Sequence, residues 1–225
     1  MGMLRIDQRL AGQGNAPAPV PHTLAEVFAE QAADAAAAGF VLARLPADKG
    51  PILWVQDRVS AKEAGRPYLP GMGAKTALIT LTLSRAADVL WALEEGLRCA
   101  SLGGVVGELW GDPPALDFTA TKRLAIRAEA SGVDCWLIRR AASPNLSAAR
   151  DRWRVGVQPA AIHPDDALAP GLPRWGVELF RSRRAKPGRW VVSYDGAADR
   201  LDFAAASGDR TLDARDGAPR ERAAG

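Results

Sequence analysis

Residues 77–109 read ALITLTLSRAADVLWALEEGLRCASLGGVVGEL, and this stretch decides the predicted fold. It begins with a run rich in β-branched and apolar residues, which is typical of a β-strand. Leu90, Leu93 and Leu97 then recur at helical spacing, which predicts an amphipathic helix with one face in the core. Ser84 is positioned to cap this helix. A glycine pair follows, and the apolar run after it predicts a second strand.

The same alternation continues on both sides of this unit. ILWV at residues 52–55 and CWLI at residues 135–138 are compact apolar runs, which are typical of buried strands. Residues 118–131 predict a second amphipathic helix, which Asp117 can cap and Gly132 can end. Near-continuous apolar strands separated by helices indicate a mostly parallel sheet with helices on both faces. The predicted fold class is therefore α/β.

The pattern changes after residue 150, where strand-like runs follow one another without helices between them. These runs are WRVGV (153–157), WGVELFRS (175–182), RWVVSYD (189–195) and RLDFAA (200–205). Tyr194-Asp195-Gly196 is a turn signal, so the last two runs are predicted to form a hairpin. The sequence therefore predicts a C-terminal antiparallel extension of the sheet.

One domain is predicted at residues 22–205, with a tail on either side. Residues 1–21 are polar and rich in Gly and Pro, which is typical of a flexible arm. Residues 206–225 are charged, rich in Ala and Gly and without hydrophobic period, which is typical of a disordered tail. Within the domain, residues 26–29 predict a short strand, and the Ala-rich residues 30–45 predict a helix.

The composition argues against several classes of protein. The 225 residues suit one globular domain. No stretch of about 18 uncharged apolar residues occurs, so no transmembrane helix is expected. The first residues lack the apolar core of a secretory signal. Two cysteines and two distant histidines supply neither a disulfide framework nor a four-ligand zinc site. We expect a cytoplasmic protein with free thiols and without a metal or cofactor.

The net charge of +3 conceals an uneven distribution. Residues 139–189 hold eleven basic and four acidic residues, so this segment carries +7 and the rest of the chain carries −4. Nucleic-acid binding requires such a concentration of charge, and Trp175 and Trp190 are candidate stacking faces. Alternatively, the arginines are solvated, pair with acids or contact an acidic protein, and the tryptophans lie in the core. The candidate DNA- or partner-binding residues are Arg139, Arg140, Arg181, Arg183, Arg184, Lys186 and Arg189.

Four segments in combination resemble the ImuA family, the RecA- and SulA-like proteins of bacterial SOS mutagenesis cassettes. The segments are EVFAEQAADAAAAGFVLA (26–43), ADVLWALEEGLRCASLGGVVGEL (87–109), LDFTATKRLAIRAEASGVDCWLIR (116–139), and RWRV (152–155) together with PRWGVELFRSRRAKPGRW (173–190). The resemblance covers roughly residues 20–205 and implies a RecA-like core for the α/β fold.

The resemblance matches residues 29–36, AEQAADAA, to the phosphate loop of a RecA-like ATPase. Such a loop needs glycines, a lysine for the β- and γ-phosphates, and a hydroxyl group for magnesium. In this chain Ala29 and Asp34 replace the glycines, Ala35 replaces the lysine and Ala36 replaces the hydroxyl residue. The carboxylates of Glu30 and Asp34 would repel phosphate oxygens.

Other ATPase residues are also replaced in this comparison. Arg58 stands where the catalytic Glu is expected, with Asp57 beside it as an alternative base. Glu108 lies at the magnesium-sensing position, and Arg140 replaces the nucleotide-sensing Gln at the end of the last core strand. GMGAKT at 71–76 resembles the end of a phosphate loop, but it precedes a strand rather than joining a strand to a helix. We therefore expect a chain that neither hydrolyses ATP nor binds it tightly.

The resemblance implies a non-catalytic accessory role in SOS-induced translesion DNA synthesis. The implied partners are an ImuB-like Y-family protein and an error-prone DnaE-type polymerase, with RecA and single-stranded DNA as further candidates and no membrane. One alternative is a SulA-like inhibitor of cell division that binds FtsZ. A second alternative is a divergent ATPase that uses Asp57, Glu108 or Lys75.

Overall fold

The computed structural model describes residue 17 and residues 22–46, 48–68, 77–166 and 168–206. Except for residues 17 and 206, the predicted arm and the predicted tail lie outside the described residues. The motif at 71–76 with Lys75 lies outside them as well.

Strands and helices follow one another much as the sequence predicts. In chain order they are β1 (Leu24–Ala29), α1 (Ala36–Arg44), β2 (Ile52–Asp57), α2 (Arg58–Glu63), β3 (Leu78–Leu83), α3 (Ala86–Gly96), β4 (Gly104–Trp110), α4 (Phe118–Ser131), β5 (Cys135–Arg140), β6 (Asp151–Gln158), β7 (Arg174–Ser182), β8 (Gly188–Asp195) and β9 (Arg200–Ala205).

The nine strands within the described residues form one sheet, in the order β3-β2-β4-β5-β1-β6-β7-β8-β9. The strands from β3 to β6 pair in parallel. The strands from β6 to β9 pair antiparallel, and β8 and β9 form the predicted hairpin. The prediction of an α/β fold with a mostly parallel sheet and a C-terminal antiparallel extension is confirmed.

Helices cover the parallel part of the sheet on both faces. Successive residues of β2 alternate between two hydrophobic clusters, because side chains along a strand point to opposite faces. Trp54 belongs to the cluster under α1, whereas Leu53 and Val55 belong to the cluster under α3 and α4. The extension is packed mainly on the α1 face, where β7 contributes Trp175 and Val177.

Three local predictions differ from the structure. The Ala-rich helix begins at Ala36 rather than at residue 30. Residues 57–75 are rich in Gly, Pro and charge, a composition that predicts a loop. Helix α2 nevertheless begins at Arg58, where the Asp57 side chain caps it by accepting a hydrogen bond from the Ser60 amide. Ser84 does not cap α3, since Arg85 is the N-cap residue and makes no capping hydrogen bond from its side chain.

Candidate functional site

The β1–α1 loop, residues 30–35, is where the sequence predicted a degenerate phosphate site. Ala29 ends β1, and the Glu30 amide donates to the Val155 carbonyl at 2.9 Å. The Asp34 carboxylate accepts a hydrogen bond from the Ala36 amide at 3.0 Å. An acidic side chain of the loop itself thus meets an amide at the start of α1.

Burial raises the pKa of Asp34, while the hydrogen bond from Ala36 and the positive charge of Arg140 oppose that rise. Its second carboxylate oxygen is buried, and no donor among the described residues contacts it. A phosphate placed beside this group would add negative charge to a carboxylate that burial already disfavours.

Arg140 lies at the end of β5 and reaches into the β1–α1 loop. Its Nη1 atom donates to the carbonyl oxygens of Ala32 and Asp34, each at 2.7 Å. Its Nε atom donates to the Glu108 carboxylate at the end of β4. The guanidinium group therefore ties the loop to the carboxyl ends of two neighbouring strands.

The Glu108 carboxylate is held by further donors from β2. Its Oε2 atom accepts hydrogen bonds from Trp54 Nε1 at 3.0 Å and from Gln56 Nε2 at 2.7 Å. Both Arg140 and Glu108 are almost wholly buried, so this ion pair is removed from water. A buried pair of this kind persists only where its remaining polar atoms are also satisfied, as they are around Glu108.

The polarity of this loop is opposite to that of a phosphate-binding loop. A phosphate loop directs backbone N–H groups towards an anion. Here two backbone carbonyl oxygens point at a buried cation. The arrangement suits an internal guanidinium group rather than a polyphosphate.

Both oxygens of Asp57 have structural partners. Oδ1 accepts from the Ser60 amide at 2.6 Å, and Oδ2 accepts from the Trp110 amide at 2.7 Å. The carboxylate thus caps α2 and links β2 to the end of β4. Arg58, its neighbour, is exposed at the start of α2.

A second buried ionic network lies at the centre of the sheet, and the sequence reasoning missed it. Glu26 in β1 accepts from Arg152 Nε at 2.7 Å and from Ser147 Oγ at 2.9 Å. Arg139 lies 3.8 Å from Glu26 and donates to Asp112 at 2.6 Å. In the sequence, the signal for this network is the acidic Glu26 within an otherwise apolar strand, because a buried acid needs a partner. In the structure, Glu26 and Arg152 are directly opposite in the register of β1 and β6.

Two of the seven candidate DNA-binding residues are therefore corrected. Arg139 is 0% exposed and Arg140 is 2% exposed. Burial lowers the pKa of Arg139, while Glu26 and Asp112 oppose that change. Both guanidinium groups serve internal ion pairs, so neither is available to a phosphate backbone. The alternative that the arginines pair with acids holds for these two.

The other five candidates share one hairpin. Arg181, Arg183, Arg184, Lys186 and Arg189 are exposed and lie around the turn between β7 and β8. Trp175 and Trp190 are 8% and 7% exposed and belong to the core under α1. The hypothesis that these two tryptophans stack on bases is thus wrong, and the alternative that they lie in the core is confirmed.

The β1–α1 loop and the β7–β8 turn lie at opposite ends of the strands of the sheet. The β1–α1 loop follows the carboxyl end of a parallel strand. The β7–β8 turn lies at the amino ends of the parallel strands, because Ser182 at the end of β7 pairs with Asp151 at the start of β6. The two candidate sites are therefore separate.

The described residues contain neither a metal-binding cluster nor a membrane-spanning helix. No group of three or more His, Cys, Asp and Glu side chains is placed to hold a metal ion within the described ranges. Among the same residues, no helix is long and apolar enough to cross a membrane.

Fold and site together define an α/β protein in which Arg140, paired with the buried Glu108, binds the carbonyl oxygens of the β1–α1 loop. The chain matches no family model. It is similar to Protein ImuA from two strains of Caulobacter vibrioides, NA1000/CB15N and ATCC 19089/CIP 103742/CB 15. Each is 32% identical over 154 residues, which are 64% of this chain and 60% of the relative. These relatives carry the name of the family that the four sequence segments resemble, and the matched region spans about 60% of their length.

Proposed function

We propose that this chain is a non-catalytic, RecA-like accessory protein in SOS-induced translesion DNA synthesis. The observation that carries the non-catalytic part is the Arg140 guanidinium group in the β1–α1 loop. It lies on the carbonyl oxygens of Ala32 and Asp34, in a loop that lacks the lysine and hydroxyl side chains of a phosphate site. The similarity to ImuA supports the setting in DNA-damage-induced mutagenesis.

The mechanism in this proposal is assembly. The chain acts in the cytoplasm beside an ImuB-like Y-family protein and an error-prone DnaE-type polymerase, and RecA is a further candidate partner. The divergent-ATPase alternative is disfavoured because Asp57 is held by two backbone amides and Glu108 by Arg140. Lys75 lies outside the described residues.

Co-expression of the full chain with a tagged ImuB-like protein tests this proposal. We expect co-purification at micromolar concentration, and no change in the yield when ATP and magnesium are added. A fluorescent ATP analogue titrated with magnesium should show no micromolar binding. Failure to associate, or micromolar nucleotide binding, would contradict the proposal. Filamentation on overexpression, without a mutagenesis defect on deletion, would favour the SulA-like alternative instead.

A further inference from the structure

The turn between β7 and β8 concentrates positive charge in a stretch of sequence without acidic residues. Residues 181–189 read RSRRAKPGR and contain five basic residues. No acidic residue occurs between Glu178 and Asp195. Among the described residues, the ion pairs around the turn join Glu178 to Arg154 and to Arg189, and none involves Arg181, Arg183, Arg184 or Lys186.

The backbone of this turn is held in place by the structure. The Ser182 hydroxyl oxygen accepts hydrogen bonds from the Arg184 amide at 3.1 Å and the Ala185 amide at 3.0 Å. The Arg183 amide donates to the Arg150 carbonyl at 3.2 Å, and Ala185 packs against the core. The cationic side chains therefore project from a fixed base, which reduces the entropy lost when they bind.

Glu178 is already neutralised by neighbouring strands. Its two oxygens accept from Arg154 at 3.0 Å and from Arg189 at 3.2 Å. Burial alone would raise the pKa of Glu178, but these two hydrogen bonds and the positive charges of the two arginines together lower the pKa. The carboxylate thus remains ionised and paired with Arg154 and Arg189. The buried Asp151, which pairs with Ser182 across the strands, acts electrostatically on Arg184, so it reduces the positive charge at the tip of the hairpin without cancelling it.

We propose that the exposed cations of this hairpin, Arg181, Arg183, Arg184 and Lys186, bind the phosphate backbone of nucleic acid without reading its sequence. This site goes beyond the assembly function proposed above. Arginine recognises phosphate through its planar array of donors, and a cluster of such groups supplies non-specific affinity by releasing counterions.

The composition of the hairpin favours a nucleic acid over an acidic protein. Protein interfaces depend on buried apolar or aromatic anchors. The hairpin offers none: Ala185 faces the core and Trp190 is buried. Large exposed apolar side chains such as Trp91 and Ile126 lie elsewhere, on α3 and α4.

The mode of binding follows from the aromatic side chains nearby. Arg154 lies 4.5 Å from the centroid of the Phe180 ring, and Arg152 lies 5.3 Å from it. That ring is therefore engaged by guanidinium groups of this chain. Because no aromatic ring in the β7–β8 hairpin is free to stack on a base, binding there is expected to be electrostatic, with similar affinity for single-stranded and duplex DNA and a steep dependence on salt.

Fluorescence anisotropy of the full chain with a labelled single-stranded oligonucleotide of mixed sequence tests this proposal. The hairpin variant is Arg183→Glu, Arg184→Glu and Lys186→Glu combined. The matched control is Lys62→Glu, Arg66→Glu and Lys122→Glu combined, which changes the net charge equally at exposed positions outside the extension. We expect the hairpin variant to weaken binding by roughly tenfold or more and to reduce the salt slope by about 2, while the control changes both much less.

Equal behaviour of the two triple variants would overturn the proposal, because net charge alone would then explain binding. Unchanged affinity in the hairpin variant would overturn it as well and would leave an acidic protein as the partner of this surface. Circular dichroism and urea unfolding check that both variants fold. The assay contains no cassette protein, so its failure would leave the proposed assembly function standing, and failure to associate with an ImuB-like protein would leave this site standing.

Discussion

At the scale of single residues, the structure separates two kinds of arginine that look alike in the sequence. Arg140 forms a buried ion pair with Glu108, and Arg123 forms an exposed pair with Glu94 at 2.9 Å. Removing one partner of a buried pair leaves an uncompensated charge in the interior. We expect Arg140→Ala to lower the free energy of unfolding by about 3–5 kcal/mol. Arg123→Ala should lower it by at most about 1 kcal/mol, because solvent screens the exposed pair.

Urea denaturation of both variants measures this difference. Equal small losses would show that the interior pair is well solvated and would remove the physical argument against nucleotide binding. The correspondence of residues 29–36 to a phosphate loop follows from the resemblance and stays a prediction, whereas the residue types in that loop are read directly from the sequence. The sequence did not identify the side chain that fills the loop, since Arg140 is more than a hundred residues away along the chain. Only the pairing of β5 beside β1 brings it there.

At the scale of elements, helix caps show which local signals the fold uses. Asp117 accepts a hydrogen bond from the Ala120 amide at 2.7 Å, and Gly132 ends α4 in the left-handed conformation with φ of 70°. Ser84 has the same capping chemistry in the sequence but makes no such bond at α3. We expect Asp117→Ala to cost about 1 kcal/mol of unfolding free energy. Ser84→Ala is the matched control and should change it by no more than about 0.5 kcal/mol.

Thermal or urea unfolding of the two variants checks this prediction, and a larger loss for Ser84→Ala would contradict it.

The contrast between Asp117 and Ser84 explains why the order of strands and helices could be predicted while some of their boundaries could not. The hydrophobic period identifies a helix, but the residue at which the helix begins depends on which nearby side chains bond to its first turn. At α3 the first turn contains an ion pair between Arg85 and Asp88, and Ser84 next to it makes no capping hydrogen bond. At α2 the N-cap residue is Asp57, which is also the last residue of β2, so its carboxylate starts the helix where the strand ends.

At the scale of the whole molecule, an aromatic cluster joins the parallel part of the sheet to its extension. Phe40 on α1 contacts Trp136 in β5, and on the other side it contacts Trp153 and Trp175 in β6 and β7. Trp190 and Phe203 continue the cluster into β8 and β9. The sequence allowed Trp175 and Trp190 to be core residues, but it could not show that they share one cluster with Trp136 and Trp153, because that depends on β5 to β8 belonging to the same sheet.

This continuity predicts that the parallel part and the extension unfold together. Tryptophan fluorescence and far-UV circular dichroism should give coincident transitions in urea, since the hydrophobic cluster under α1 includes residues of both parts. Phe40→Ala should lower the free energy of unfolding by about 3–5 kcal/mol and shift both transitions equally, because its ring is wholly buried. Phe118→Ala is the control: this ring is 43% exposed on α4, and its loss should cost at most about 0.5 kcal/mol. Separate transitions, or a Phe40→Ala shift confined to one probe, would mean that the extension is an independent unit joined only by strand pairing between β1 and β6.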